Sequence, residues 1–184
     1  MTNHPLSQFS HCPRCGNAQF VINDARSKRC ATCGFTYYHN ASAATVAVIV
    51  NKKNELLVVR RACEPAKGTL DLPGGFVDPG EGVEDGCRRE VLEETGLHVE
   101  RMEYLFSLPN IYRFSGFDVH TADCFFRCEI NDETILLAGD DAAETMWVKL
   151  NKLHAEDFGL LSVRRGVEKL LKEYFPSHSS THIA

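Results

Sequence analysis

The stretch Gly75-Phe76-Val77-Asp78-Pro79-Gly80-Glu81, running on to Arg89-Glu90-Val91-Leu92-Glu93-Glu94-Thr95-Gly96-Leu97, decides how this chain is read. Pro73, Gly74 and Gly75 make a turn that suits neither helix nor strand interior, and Pro79-Gly80 makes a second. A helix is expected from Val83, with Glu84 and Asp85 in the first turn, where the helix dipole favours negative charge. It should stop at Gly96, the usual residue after a helix end. Glu90, Glu93 and Glu94 stand at i, i+3 and i+4, so their carboxylates share one face, while Val83, Cys87 and Val91 form the apolar strip. Three like charges so close repel one another, and a hard cation in front of them removes that penalty. Mg²⁺ takes oxygen ligands and is commonly shared between carboxylates and substrate phosphates. An acidic run is more often a plain solvated face, so the spacing alone does not decide. Arg89 precedes Glu93 by one turn and can pair with it. Gly86 inside the helix costs about 1 kcal/mol relative to Ala, which implies close packing there.

The full pattern is G-x5-E-x7-R-E-U-x-E-E-x-G-U, where U is aliphatic. Gly75, Glu81, Arg89, Glu90, Val91, Glu93, Glu94, Gly96 and Leu97 fill every fixed position. This resembles the Nudix box without departure. The resemblance implies a metal-dependent hydrolase that cleaves a nucleoside diphosphate linked to another group. It assigns Glu90, Glu94 and Glu144 as ligands of Mg²⁺ or Mn²⁺, and Glu93 and Glu94 as catalytic, with Glu93 either a further ligand or the general base. Arg89 orients the glutamates, Gly75 lets the loop pass close to the helix, and Glu81 acts indirectly. It also implies the fold: a mixed α/β sandwich of the α+β class, following a small zinc ribbon.

The ribbon has its own signal. Cys12-Pro13-Arg14-Cys15-Gly16 and Cys30-Ala31-Thr32-Cys33-Gly34 are two Cys-x-x-Cys-Gly knuckles whose four thiolates can meet around Zn²⁺. Between them a short hairpin is expected, turning at Asn23-Asp24. About 40 residues bury too little apolar surface to fold well unaided, so a structural metal is expected. His11 and His39 flank the cysteines and read as bystanders. Residues 1–40 carry Arg14, Arg26, Lys28 and Arg29 against Asp24, a formal +3. A zinc tetrathiolate lowers this by two, too little charge to track a phosphate backbone.

The chain has 184 residues, a net charge of −5 and a pI near 5.9, which fits one domain plus a small module and disfavours a general nucleic-acid or membrane binder. The hydrophobic fraction of 43% suffices for a core. No apolar run approaches the roughly 20 residues of a membrane span. The first ten residues do not read as a secretory signal. Cysteines in metal-type pairs point to a reducing compartment, the cytoplasm. The expected division is 1–40 for the ribbon, 41–176 for the hydrolase domain and 177–184 for a loose tail.

Along the second part, Thr45–Val50 and Glu55–Arg60 read as strands joined by a turn at Asn51–Asn54. Val99–Leu108 and His120–Ile130 follow, with Cys124 and Cys128 on one face as small buried hydrophobes. A turn is expected at Asn131-Asp132-Glu133, and a loop over Ala138–Ala143 leads to Glu144 and an apolar strand. Ser162 is a candidate cap for a last helix, Val163–Phe175. In the family an aromatic often precedes the Leu-Pro-Gly-Gly turn, and Leu70 stands there in this chain.

Substrate choice lies outside the box. NADH pyrophosphatases of the family carry a zinc ribbon and a Ser-Gln-Pro-Trp-Pro-Phe-Pro-x-Ser motif after the box. Ser107-Leu108-Pro109-Asn110-Ile111-Tyr112-Arg113-Phe114-Ser115 matches at Ser107, Pro109 and Ser115, with Tyr112 for Phe, and lacks the Gln, the Trp and two Pro. The resemblance implies a small nucleotide substrate, NADH-type dinucleotides first and ADP-ribose or another ADP-linked compound second. Tyr112 and Phe114 are candidates for stacking on a ring, against plain strand packing. It also implies a homodimer. The competing class is a binding module that senses a nucleotide and uses the ribbon to touch nucleic acid or protein. A complete glutamate set argues for an enzyme.

Overall fold

The β-branched run after residue 42 and the apolar run after residue 55 both become strands with two buried faces. The computed structural model describes residues 4–131 and 142–176, and the chain divides into two units with the boundary between Ala41 and Ser42.

The first unit is a three-stranded antiparallel sheet, β1 (Phe20–Asp24), β2 (Ser27–Cys30) and β3 (Thr36–Tyr38), in the order β1-β2-β3. The hairpin turns just after Asp24, whose carboxylate accepts the Arg26 amide at 2.9 Å. Among the described residues, Phe20, Cys12 and Cys30 form its buried apolar cluster.

The second unit carries two three-stranded sheets. One has the order β4-β8-β7, with β4 (Ser42–Ile49) parallel to β8 (Phe117–Ile130) and β7 (Val99–Phe114) antiparallel to β8. The other has the order β6-β5-β9, from β6 (Leu70–Asp71), β5 (Glu55–Arg61) and β9 (Ala142–Lys149). Helix α1 (Val83–Thr95) and helix α2 (Leu161–Lys169) cover opposite faces. Alternation along β4 shows this: Val46 and Val48 join the cluster of Val163 and Val167, while Ala47 and Ile49 join that of Cys87 and Val91. Cys128 is buried on the α1 side. This is the mixed α+β sandwich expected.

Three details differ from the sequence reading. Strands β7 and β8 extend beyond the expected ends at Leu108 and His120 to a tight turn at Ser115-Gly116. Pro109 is tolerated because β7 is an edge strand, where a missing N–H is not needed. Ser162 caps nothing: α2 begins at Leu161 without a side-chain cap, and the Ser162 hydroxyl turns inward to Asp123. The last helix relaxes into a wider π-helical turn over Leu170–Tyr174. Asp132 and Glu133 of the expected turn, most of the loop before Glu144 and the 177–184 tail fall outside the described residues.

Candidate active site

Arg89 ties the box together. Its guanidinium donates to both Glu81 oxygens at 3.1 and 3.0 Å, to Glu90 at 2.8 Å, to Glu93 at 3.1 Å and to the Phe76 carbonyl at 3.0 Å. One planar fork thus joins the loop before α1 to the acidic face of the helix. Glu81 in turn accepts the Asp78 amide at 3.0 Å, and the Arg89 hydrogen bonds hold its carboxyl below the usual range. Gly86 leaves room for this arrangement: a Cβ there would stand 3.0 Å from a Glu81 oxygen. Glu81, whose part looked indirect, is therefore what anchors Arg89.

The glutamates are not equivalent. Glu90 is half-buried, and burial pushes its carboxyl up against the opposing pull of Arg89. Glu94 accepts the Gly74 amide at 3.0 Å. Glu93 stays exposed on Arg89. Gly75 passes so close that an added Cβ would sit 2.6 Å from the Glu90 carboxylate. Gly74, at φ +148°, would place a Cβ 2.1 Å from the Thr45 carbonyl oxygen. Glu144 lies on β9 opposite Arg60, which donates to it at 3.3 Å, and it does not line the cavity next to α1.

That cavity, of about 480 Å³, is bounded by Gly74, Gly75, Glu90 and Glu94 at one end. Its volume lies in the usual range for small-molecule sites. Tyr112 and Phe114 also line it, as does Phe76, whose ring meets Tyr112 edge-on at 5.8 Å. Arg61 supports Tyr112 from 3.4 Å at the hydroxyl and pairs with Asp71 at 2.7 Å. Burial pushes the Asp71 carboxyl up, and Arg61 only partly offsets this; the Arg61 guanidinium rises despite its own burial because of Asp71. The far end holds Asn110, Thr121 and Asp123. Phe76, Arg61, Asp71, Asn110 and Asp123 escaped the sequence reading. The available signal was a polar residue inside an apolar strand, as at Asp123 between Ala122 and Cys124.

In the first unit, Cys12, Cys15, Cys30 and Cys33 place their sulfurs within 4.8 Å of one another. The Cys12–Cys33 and Cys15–Cys30 separations are each 3.7 Å. A tetrahedral ion with sulfur at about 2.3 Å needs edges of about 3.8 Å, so the donor set fits one. The Cys33 amide points at the Cys30 sulfur and helps pull that thiol down to about 6. Cys15 is pushed up to about 12: the Asn17 amide acts to lower it, but its neighbour thiols raise it more.

Comparison with known proteins agrees with this geometry. The family model of the NUDIX domain matches residues 40–169. The chain is 36% identical over 140 residues to an ADP-ribose pyrophosphatase of Methanocaldococcus jannaschii, covering 75% of each chain. It is 32% identical over 106 residues to the NAD-capped RNA hydrolase NudC of Vibrio parahaemolyticus, covering 58% of this chain and 40% of that one. The chain thus spans about two fifths of that relative's length. A crystal structure of a NUDIX hydrolase from Nitrosomonas europaea shares the fold, with a TM-score of 0.71 at 20% identity over 95% of this chain and 97% of that one. Family match, unbroken box and an Arg89-centred glutamate face on one cavity lead to one conclusion: the chain belongs to the NUDIX family.

Proposed function

We propose that this enzyme cleaves the diphosphate between AMP and a second group, giving AMP and a phosphorylated partner. One observation carries the reading: α1 presents Glu90 and Glu94 at one end of a cavity deep enough for a nucleotide, with Gly74 and Gly75 thinning the wall beside them. Hard oxygen donors on a helix face suit Mg²⁺ or Mn²⁺. Glu90 and Glu94 would hold the cation, with Glu93 as a further ligand or the base and Glu144 as a ligand once released from Arg60. When bound, the cation neutralises diphosphate oxygens and acidifies a water. Arg89 keeps the carboxylates facing one way, and the Gly74 amide fixes Glu94. The four cysteines of the first unit would hold Zn²⁺ in a structural role, since the apolar cluster of that unit is so small.

NADH-type dinucleotides are the first choice for the substrate. The aromatic edge of Phe76, Tyr112 and Phe114 supports this, because it offers a second flat ring a place to stack. ADP-ribose is the second reading, supported by the relative of that activity that covers three quarters of each chain. Replacing Tyr112 by Ala should lower kcat/KM for NADH about tenfold and spare ADP-ribose. The test is a panel of NADH, NAD, ADP-ribose and nucleoside triphosphates with Mg²⁺, with AMP as the readout. Release of AMP from the ADP-linked compounds is expected. Turnover confined to triphosphates, with loss of inorganic pyrophosphate, would overturn the proposal.

A further inference from the structure

The end of the cavity away from α1 contains polar groups that no catalytic role uses. Asp123 on β8 is 5% exposed and Asn110 on β7 is 7% exposed, and both line the cavity. Among the described residues nothing is hydrogen-bonded to the Asn110 side-chain amide. The Asp123 oxygens accept the hydroxyls of Thr121 and Ser162, one each, at 2.5 Å. Each oxygen keeps a further lone pair. Around them stand the apolar side chains Val46, Val59, Leu72, Leu160 and Val163. The Asn110 amide lines the cavity without a protein partner among the described residues and the Asp123 oxygens have room for a further donor, so a polar ligand group entering the slot can complete their hydrogen bonds.

We propose that Asn110 and Asp123 recognise the amino edge of adenine, which sets the enzyme's preference for adenine nucleotides. This rests on the AMP-releasing function proposed above. The spacing fits. Residues 73–77 lie beside β4 through Thr45 N–H to Gly75 O at 2.8 Å and Ala47 N–H to Pro73 O at 2.7 Å. Across β4, Ala44 is the Cα partner of Asp123, and beyond it Thr121 is the partner of Asn110. With strands about 4.8 Å apart, Asp123 stands about 10 Å and Asn110 about 14 Å from the Gly75 backbone. That is the reach from a diphosphate at α1 to the base it carries. The chemistry fits too. An ionised carboxylate only accepts, so it takes the adenine 6-amino group, while the Asn110 amide donates to the adjacent ring nitrogen. Hypoxanthine carries a carbonyl in place of the amino group and turns lone pairs toward Asp123.

The experiment measures dissociation constants of AMP and IMP by calorimetry on the full chain, for wild type, Asp123→Asn and Asn110→Leu. The expected wild-type preference for AMP is about tenfold or more, as one well-made base contact gives. In Asp123→Asn the amide oxygen keeps one hydroxyl donor, the other hydroxyl turns to accept from the NH2, and the remaining N–H can donate to the hypoxanthine carbonyl, so the preference falls to within about threefold or inverts. Asn110→Leu, which does not disturb the Ser162 contact, should also shrink it. Equal affinities in wild type, or variants that weaken AMP and IMP alike, would overturn the inference and leave Asp123 as a clasp on the start of α2. Wild type that cleaves ADP-ribose yet binds AMP and IMP equally overturns this inference alone. Wild type that prefers AMP yet cleaves no ADP-linked compound overturns the proposed reaction alone.

Discussion

At the residue scale, Arg89 and Glu94 have separable tasks. Arg89 holds Glu81, Glu90 and Glu93 through a planar fork that a lysine ammonium cannot reproduce. Arg89→Lys should therefore leave the chain folded and lower kcat about 10- to 100-fold, the usual loss when a group that orients ligands is removed. A kcat within threefold of wild type would show that the carboxylates hold themselves. The buried Arg61–Asp71 pair gives a pH prediction. Asp71 has a carboxyl raised by burial, so its contribution to stability is present at low pH and is lost as pH rises through the folded-state value. Arg61 limits that loss. In Arg61→Met the carboxyl rises further, so the deficit in stability should be small at pH 4 and reach about 3 kcal/mol at pH 8. Thermal unfolding at the two pH values checks it, and an equal deficit at both would contradict it. None of this pair was legible in sequence. Asp71 follows Leu70 in a short segment, and only the fold shows that Arg61 lies beside it.

At the scale of elements, α1 was legible to the residue because several independent signals coincide: turn glycines, acidic first turn, apolar strip and a terminal glycine. Its observed span is Val83–Thr95, with Gly96 at φ +73°. Strands β7 and β8 were read short because Pro109 and Gly116 signal interruptions, and only sheet order reveals that Pro109 sits on an edge. Strand β3 is three residues long and leaves no periodic trace. Two adjacent glycines give contrasting predictions. Gly74→Ala drives a Cβ into the Thr45 backbone, which cannot move without breaking the contact between the loop and β4. The loss should be about 3 kcal/mol or more. Gly75→Ala meets the end of the Glu90 side chain first, not backbone, and pushes it off its Arg89 contact. Its stability should change by less than about 1 kcal/mol, while the Mg²⁺ concentration needed for half-maximal rate rises. Denaturant unfolding and a metal titration separate the two, and a fully active, stable Gly74→Ala would contradict the packing argument.

At the scale of the whole molecule, the two units depend on different things. The second has two packed apolar clusters on either side of its sheets. The first has one small cluster, two of whose three buried residues are cysteines. Such a unit holds its fold through a metal more than through burial. Elemental analysis of reduced protein should find one zinc per chain, and a strong chelator should unfold the first unit while the second keeps its cooperative transition. Protein without bound metal and with an intact first unit would contradict this. The paired Cys-x-x-Cys spacing made this unit legible in sequence. The cavity's floor was not, because Asn110 and Asp123 come from strands whose pairing no local pattern announces. Among the described residues no helix is long and apolar enough to cross a membrane.

If the Glu90–Glu94 face of α1 drives cleavage of an AMP-linked diphosphate, removing one charge from that face must stop the reaction. The most direct measurement is AMP release from NADH and ADP-ribose with Mg²⁺, in parallel for wild type and Glu94→Gln, with folding checked by thermal unfolding. Glu94→Gln keeps the size of the side chain and loses the charge. Wild type should release AMP, and none without a divalent cation, while kcat/KM should fall by at least about 100-fold, or about 2.7 kcal/mol, in a folded variant. A folded Glu94→Gln enzyme that releases AMP at the wild-type rate would contradict it.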